Sequence, residues 1–263
     1  MESQTAKAEA FRALHEGKPF VIPNPWDVGS ARALEALGFK ALATTSSGFA
    51  FTLGRRDGKT TLDEVAAHVA ALVAATALPV SVDMENGYGR EPEAAANAVR
   101  RIAEAGAVGG SIEDWDAESG LYEPTFAVER VAAAVEAAQS LSLPFTLTAR
   151  AENHIRGNPD LDDTIARLQA YEAAGADVVY APGLRTLEEV RAVGEAATQP
   201  VNVLARPDLT MAELGEAGAR RVSVGGALTW TAVQAFASAA EAIRDRGDFS
   251  GLAAAPPLDA WFQ

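Results

Sequence analysis

Apolar positions along the chain fall into eight short runs, separated by longer stretches with helical spacing. Four runs start just after a proline: KPFVIPN (18–24), LPVSVDME (78–85), LPFTLTARAE (143–152) and QPVNVLA (199–205). Four others follow a helix that ends in glycine: LGFKALATTS (37–46), AGAVGGSIED (105–114), AGADVVYAP (174–182) and AGARRVSVGG (217–226). The two kinds alternate without a break. Gly38, Gly106, Gly175 and Gly218 sit where a left-handed helix stop is needed. Between the runs, TLDEVAAHVAALVAATA (61–77) places Leu62, Val65, Val69 and Leu72 on one helical face. Residues 126–141 and 161–175 behave alike. Thr61 and Thr186 read as N-caps, each followed three residues later by a glutamate, Glu64 or Glu189. The strands lack in/out alternation, which fits burial on both faces. Eight such βα units in about 250 residues predict an α/β fold, a (β/α)8 TIM barrel. An open doubly wound sheet is the alternative.

An extra helix over about 3–16 is expected to cover the barrel bottom, and a helical tail to close the chain. The tail AAAPPLDAWFQ (253–263) carries two prolines and two aromatics. It suits docking to a neighbouring subunit in a homo-oligomer (dimer or tetramer) as well as folding back on its own barrel. No internal boundary is visible, so residues 1–263 are read as one domain.

Barrels of this kind place their chemistry at the C-terminal ends of the strands. Polar residues gather at those positions here: Asn24, the TTSSG segment (44–48), Asp83 with Glu85, Glu113 with Asp114, Arg150 with Glu152, His154, Asn202, and Ser223 with Gly225 and Gly226. Asp83, Glu85 and Glu113 come from neighbouring strands, and three carboxylates at one mouth repel one another unless a proton or cation intervenes. The chain contains no cysteine and only three histidines. An all-oxygen site of that kind points to a hard cation, Mg²⁺, with Mn²⁺ as a substitute. The competing reading is ion pairing of the same acids with Arg150. That arginine can also grip a substrate carboxylate through two parallel hydrogen bonds. Thr45, Ser46, Ser47 and Gly48 offer hydroxyls and N–H groups in a tight turn that suits carboxylate or phosphate oxygens. Ser223 with the two following glycines offers a phosphate cradle or close backbone packing. His15 and His68 fall in helices away from the mouth; His154, just past strand five, is a candidate acid/base.

Composition narrows the partners. With 36 acids against 22 bases, the net charge is −14, which argues against nucleic-acid or anionic-membrane surfaces. The absence of cysteine excludes disulfides and thiolate nucleophiles. The N-terminal segment lacks a long apolar core and no run approaches the roughly 20 residues of a spanning helix, so a cytoplasmic protein is expected.

The motifs resemble the isocitrate lyase/phosphoenolpyruvate mutase superfamily, in its short-chain branch. The likeness rests on residues 24–50, on LGRRDGKTTLDEV (53–65), LPVSVDMENGYG (78–89), AGAVGGSIEDW (105–115), TARAE (148–152) and YEAAGADVVY (171–180). It implies Mg²⁺, a small 2-oxo or 2-hydroxy dicarboxylate substrate, and C–C or P–C bond chemistry through an enolate-like species. By motif position it implies metal-site roles for Asp83, Glu85, Glu113 and Asp57, often through bound water. It assigns the substrate carboxylate to Thr45, Ser46, Ser47 and Arg150, with Asn202 as a further polar contact. The chain departs from the family in the loop after strand four. DWDAESGLYEPTFA (114–127) replaces a lyase loop with a catalytic cysteine, and the mutase lysine and Asn-Ser pair are missing. The expected activity is a Mg²⁺-dependent carbon–carbon lyase. The alternatives are phosphonate P–C chemistry and a barrel that binds a 2-oxo acid without turnover. Its general acid/base is open among Tyr122, Glu123, His154, Tyr88 and a metal-bound water.

Overall fold

The computed structural model describes residues 2–262. Its centre is an eight-stranded parallel sheet: β1 (Phe20–Ile22), β2 (Leu42–Ala43), β3 (Val80–Asp83), β4 (Gly109–Glu113), β7 (Thr146–Arg150), β8 (Val178–Tyr180), β9 (Val201–Leu204) and β10 (Ala219–Ser223). The order β1-β10-β9-β8-β7-β4-β3-β2 runs around a barrel. The Ala43 N–H, 3.0 Å from the Pro23 carbonyl, bridges the two terminal strands and closes it. All eight strands expected from the sequence are present.

Helices α2 (Val28–Ala36), α4 (Leu62–Ala75), α5 (Pro92–Glu104), α6 (Pro124–Gln139), α7 (Leu161–Ala173), α8 (Leu187–Ala196) and α9 (Met211–Glu216) connect successive strands. The expected capping boxes at Thr61 and Thr186 form. The four glycine stops take φ of 90°, 99°, 102° and 104°, a region that side chains with a Cβ avoid. The main apolar core lies between the strands and these helices, with Val82, Met84, Ile102, Leu147 and Val179 buried in it.

The N-terminal helix α1 (Gln4–Glu16) closes the bottom of the barrel. Its Ala8 and Phe11 pack with Ile22, Ala41 and Val108. Gly109 is needed there: a Cβ would meet the Phe11 ring at 2.9 Å and the Thr146 carbonyl at 2.8 Å. His15, expected at a surface or in packing, is buried between the rings of Phe11 and Phe20.

One element differs from expectation, and others were not anticipated or settle an open alternative. The TTSSG segment is not a turn: Thr45 caps a short helix α3 (Ser46–Thr52). The divergent loop after β4 folds into a hairpin of β5 (Trp115–Asp116) and β6 (Gly120–Leu121). Its corner is held by Asp116, whose carboxylate accepts from the Glu118 and Ser119 N–H groups and the Ser119 and Tyr122 hydroxyls. The last long helix, α10 (Ala227–Arg246), buries only Thr229 among its 20 residues. The tail helix α11 (Leu258–Trp261) packs on α2 of its own barrel. No helix among the described residues is long and apolar enough to cross a membrane.

Candidate active site

Side chains alternate along each strand, so every second residue faces the barrel interior. On β3 these are Ser81 and Asp83; on β7, Thr148 and Arg150. Neighbouring strands pair Glu113 with Arg150, Arg150 with Tyr180, and Tyr180 with Asn202. Period and register together bring the acids and Arg150 to one end. The interior they enclose is a cavity of about 200 Å³, lined by Thr45, Ser46, Ser47, Asp57, Asp83, Arg150 and Asn202 from the sequence-predicted set.

Arg150 is the hub. Its guanidinium lies 2.9 Å from Asp83 Oδ1, 3.2 Å from Glu113 Oε2 and 2.7 Å from Glu152 Oε1. It also stacks 5.3 Å from the Tyr180 ring centre. Fully buried Glu152, which the sequence placed at the strand end without a role, is therefore a principal partner of the arginine. Arg156 reinforces the cluster at 3.1 Å from Glu152 and 3.7 Å from Glu113, with its own guanidinium 3.6 Å over Trp115. Asp114, next to Glu113, faces the opposite way. It accepts from Arg167, Tyr171 and the Glu152 N–H, which fixes the end of β7 from behind.

Asp83 Oδ2 accepts from the Ser46 N–H at 3.3 Å, tying the start of α3 to β3. Glu85 takes a left-handed backbone conformation (φ 49°) and lines an adjoining cleft, where its carboxylate accepts from Thr60. Burial, then the nearby Asp83 and Asp57 charges, push the Glu85 carboxyl up to about 7. Burial likewise raises Asp57, with Asp83 adding to it and Ser46 opposing it. Glu113 is raised well above the usual range by burial, against the pull of Arg150.

These shifts test whether a divalent cation fits. Asp57, Asp83, Glu85, Glu113 and Glu152 face only two guanidinium groups, Arg150 and Arg156. The excess negative charge is what a cation would neutralise. The donors are all oxygen, the preference of a hard ion. Among the described residues, no three acids converge to clasp an ion directly. An ion that retains several waters, as Mg²⁺ does, suits that spacing. The ion pairing expected as the competing reading is also present, and the acids outnumber the arginines it uses.

Other candidates lie elsewhere. The Tyr122 hydroxyl donates to Asp116 and accepts from Asn86, at the hairpin rather than in the cavity. His154 is buried against α7, with Nδ1 2.8 Å from the Thr164 hydroxyl, and Ile155 lines the cavity instead. The expected acid/base roles of Tyr122 and His154 find no support in this geometry. Glu123 only flanks α6 as its N-cap. Gly48 is buried behind the site, where a Cβ would meet Thr45 and Thr229 at 2.6 Å. The proposed glycine cradle is already filled: the Val224 and Gly225 N–H groups both donate to Asn24 Oδ1 at 2.9 Å. Sequence reasoning missed Tyr180, which ends β8 inside the cavity and whose hydroxyl is pushed up to about 12, chiefly by burial.

Comparison with known proteins matches residues 11–244 to the phosphoenolpyruvate phosphomutase family. A structure from Burkholderia cenocepacia J2315, provisionally described as a lyase/mutase, shares 52% identity, with a TM-score of 0.94 over 98% of this chain and 95% of that one. An oxaloacetate decarboxylase from Rhodopseudomonas palustris (strain BisB18) is 32% identical over 264 residues, 96% of this chain and 88% of its own. The structure of oxaloacetate acetylhydrolase with its product oxalate has a TM-score of 0.88 at 26% identity, covering 99% of this chain and 94% of that one.

Proposed function

Because the chain belongs to the phosphoenolpyruvate phosphomutase family, whose superfamily includes lyases, we propose that it cleaves a C–C bond in a small 2-oxo dicarboxylate, with decarboxylation of an oxaloacetate-like substrate as the reaction. The observation that carries this choice is the combination of an acid-rich, arginine-centred mouth with a neighbouring loop whose acids are either tied into its own turn or turned out to solvent. Cleavage of a 2-hydroxy acid needs a base to remove the hydroxyl proton, and hydrolytic cleavage needs one to activate water. Loss of carbon dioxide from a 2-oxo diacid needs neither, because the breaking bond delivers its electrons directly toward the 2-oxo group. The hairpin at 115–121 spends its half-buried carboxylate, Asp116, on its own turn, and its other acid, Glu118, is exposed to solvent. The named activities of two relatives, oxaloacetate decarboxylase and oxaloacetate acetylhydrolase, support the same substrate class.

Asp83, with Asp57, Glu85 and Glu113 acting through water, would hold Mg²⁺ (or Mn²⁺). A bound divalent cation supplies Lewis-acid stabilisation of the charge that develops on the 2-oxo oxygen. Arg150 orients the substrate carboxylate. Its Nη1 donates to Asp83 Oδ1, so the substrate carboxylate and Asp83 would share one guanidinium. Ser46, Ser47 and Thr45 border the same carboxylate position, and Asn202 fixes Ser223 beside Tyr180. Tyr180, which lines the same cavity and keeps its proton at neutral pH, would deliver it to the carbon left by the departing fragment. Cytoplasmic operation fits the cysteine-free acidic chain. Assembly into a homo-oligomer fits the exposed apolar face of α10, where Phe236 is 74% exposed.

Carbon dioxide and pyruvate release from oxaloacetate, measured above the uncatalysed rate with Mg²⁺ and with EDTA, tests this reading. Tyr180→Phe should lower kcat by roughly 10²-fold, a typical loss for one general acid, with little change in KM. Unchanged kcat in that variant would remove Tyr180 from the chemistry.

A further inference from the structure

The barrel interior is unusually polar below the mouth. Barrel cores are normally filled by layers of branched apolar side chains. Here the cavity runs down past Ser81, Ser111, Asn202 and Ser223 to Arg221 on β10. Arg221 is 4% exposed, and its Nε donates to Asn202 Oδ1 at 2.8 Å, while Nη2 donates to the Thr148 hydroxyl at 2.9 Å. Nη1 lies 3.2 Å from His15 Nε2. All three partners are neutral, His15 included: burial, then the Arg221 charge, hold its pKa down at about 3. Among the described residues no carboxylate pairs with Arg221. Its pKa, lowered by burial to about 10, leaves it charged at neutral pH. A buried charge without a counter-charge is costly. The three hydrogen bonds use three of its five N–H donors, leaving one on each Nη for a further acceptor.

We propose that the floor of this shaft is an anion subsite, in which Arg221 with the Ser81 and Ser111 hydroxyls receives a carboxylate-sized monoanion. The occupant is either the far carboxylate of the dicarboxylate substrate or a free small anion such as formate or chloride. Arg150 at the mouth is already shared among three carboxylates, whereas Arg221 has no carboxylate partner among the described residues. The subsite is read without turnover, so it can fail while the lyase reading stands, and the reverse.

The test uses the intact protein. Its unfolding midpoint is followed while formate replaces a bulky sulfonate at constant ionic strength, and crystals are soaked in bromide for anomalous diffraction. The expected result is a saturable rise in the midpoint and an anomalous peak beside the Arg221 guanidinium. Both should disappear in Arg221→Gln. If that variant does not fold, the wild-type protein alone decides. Malonate then separates the sources: loss of the formate response on adding it assigns the subsite to a substrate carboxylate, and additive responses assign it to a free anion. A midpoint indifferent to formate, with no bromide density at Arg221, overturns the subsite.

Discussion

Two buried arginines face the same cavity and live in opposite surroundings. Arg150, at the mouth, is surrounded by Asp83, Glu113 and Glu152. Arg221, at the floor, has only Asn202, Thr148 and a neutral His15. The mouth therefore carries surplus negative charge, and the floor carries surplus positive charge. A substrate that is a dianion bridged to a divalent cation is complementary to both ends at once. The contrast also separates two jobs that a lone arginine in a sequence cannot distinguish. One guanidinium organises acids and meets the substrate among them, and the other stands without a counter-charge.

Several substitutions sharpen or break this contrast. The largest effect is expected at the mouth. Asp83→Asn should reduce metal-dependent turnover by on the order of 10³-fold while the circular dichroism spectrum stays native; retained turnover would show that the mouth acids serve only Arg150. Arg150→Lys keeps the charge but loses the planar fork, and a rise in KM together with roughly a 10²-fold fall in kcat/KM is expected from steady-state kinetics. Behind the mouth, Asp114→Ala leaves Arg167 and Tyr171 without their shared acceptor. Denaturant melts should show a loss of about 3 kcal/mol, the usual cost of breaking one side of a buried ion pair.

Per pH unit, the smallest effect belongs to the floor. His15 has its folded pKa depressed to about 3 from the ordinary 6.5. Between those values the unfolded chain binds a proton that the folded chain refuses. The stability associated with neutral His15 is thus complete above pH 6.5 and is lost as pH falls toward about 3. His15→Gln removes that titration. Subtracting its stability profile from that of the wild type should leave a slope of about 1 kcal/mol per pH unit in that window, and a flat difference would mean that His15 is not held neutral by burial and Arg221.

Much of this architecture was legible in the residues. Prolines and glycine stops marked all eight strands, and the barrel rule then placed Asp83, Arg150 and Asn202 at one cavity. What was not legible depended on direction and on short-range geometry. Arg220 and Arg221 are adjacent, and a slip of one residue would exchange the one facing inward; in the structure Arg220 bonds the Gly17 carbonyl outside the shaft. Glu113 and Asp114 pose the same ambiguity, with one in the mouth and its neighbour serving α7. The TTSSG segment lacked the apolar repeat that signals a helix, yet Thr45 at its head is a good N-cap and α3 forms. Tyr122 and His154 were placed by proximity in sequence, and both side chains found partners outside the cavity before they could reach it.

The most direct test of the central claim is the enzyme-dependent rate of pyruvate formation from oxaloacetate, followed as Mg²⁺ is removed with EDTA and then restored. The account predicts turnover that vanishes with the metal, returns when it is added back, and is absent from Asp83→Asn under both conditions. Turnover that persists in EDTA, or that Asp83→Asn retains in full, would contradict it.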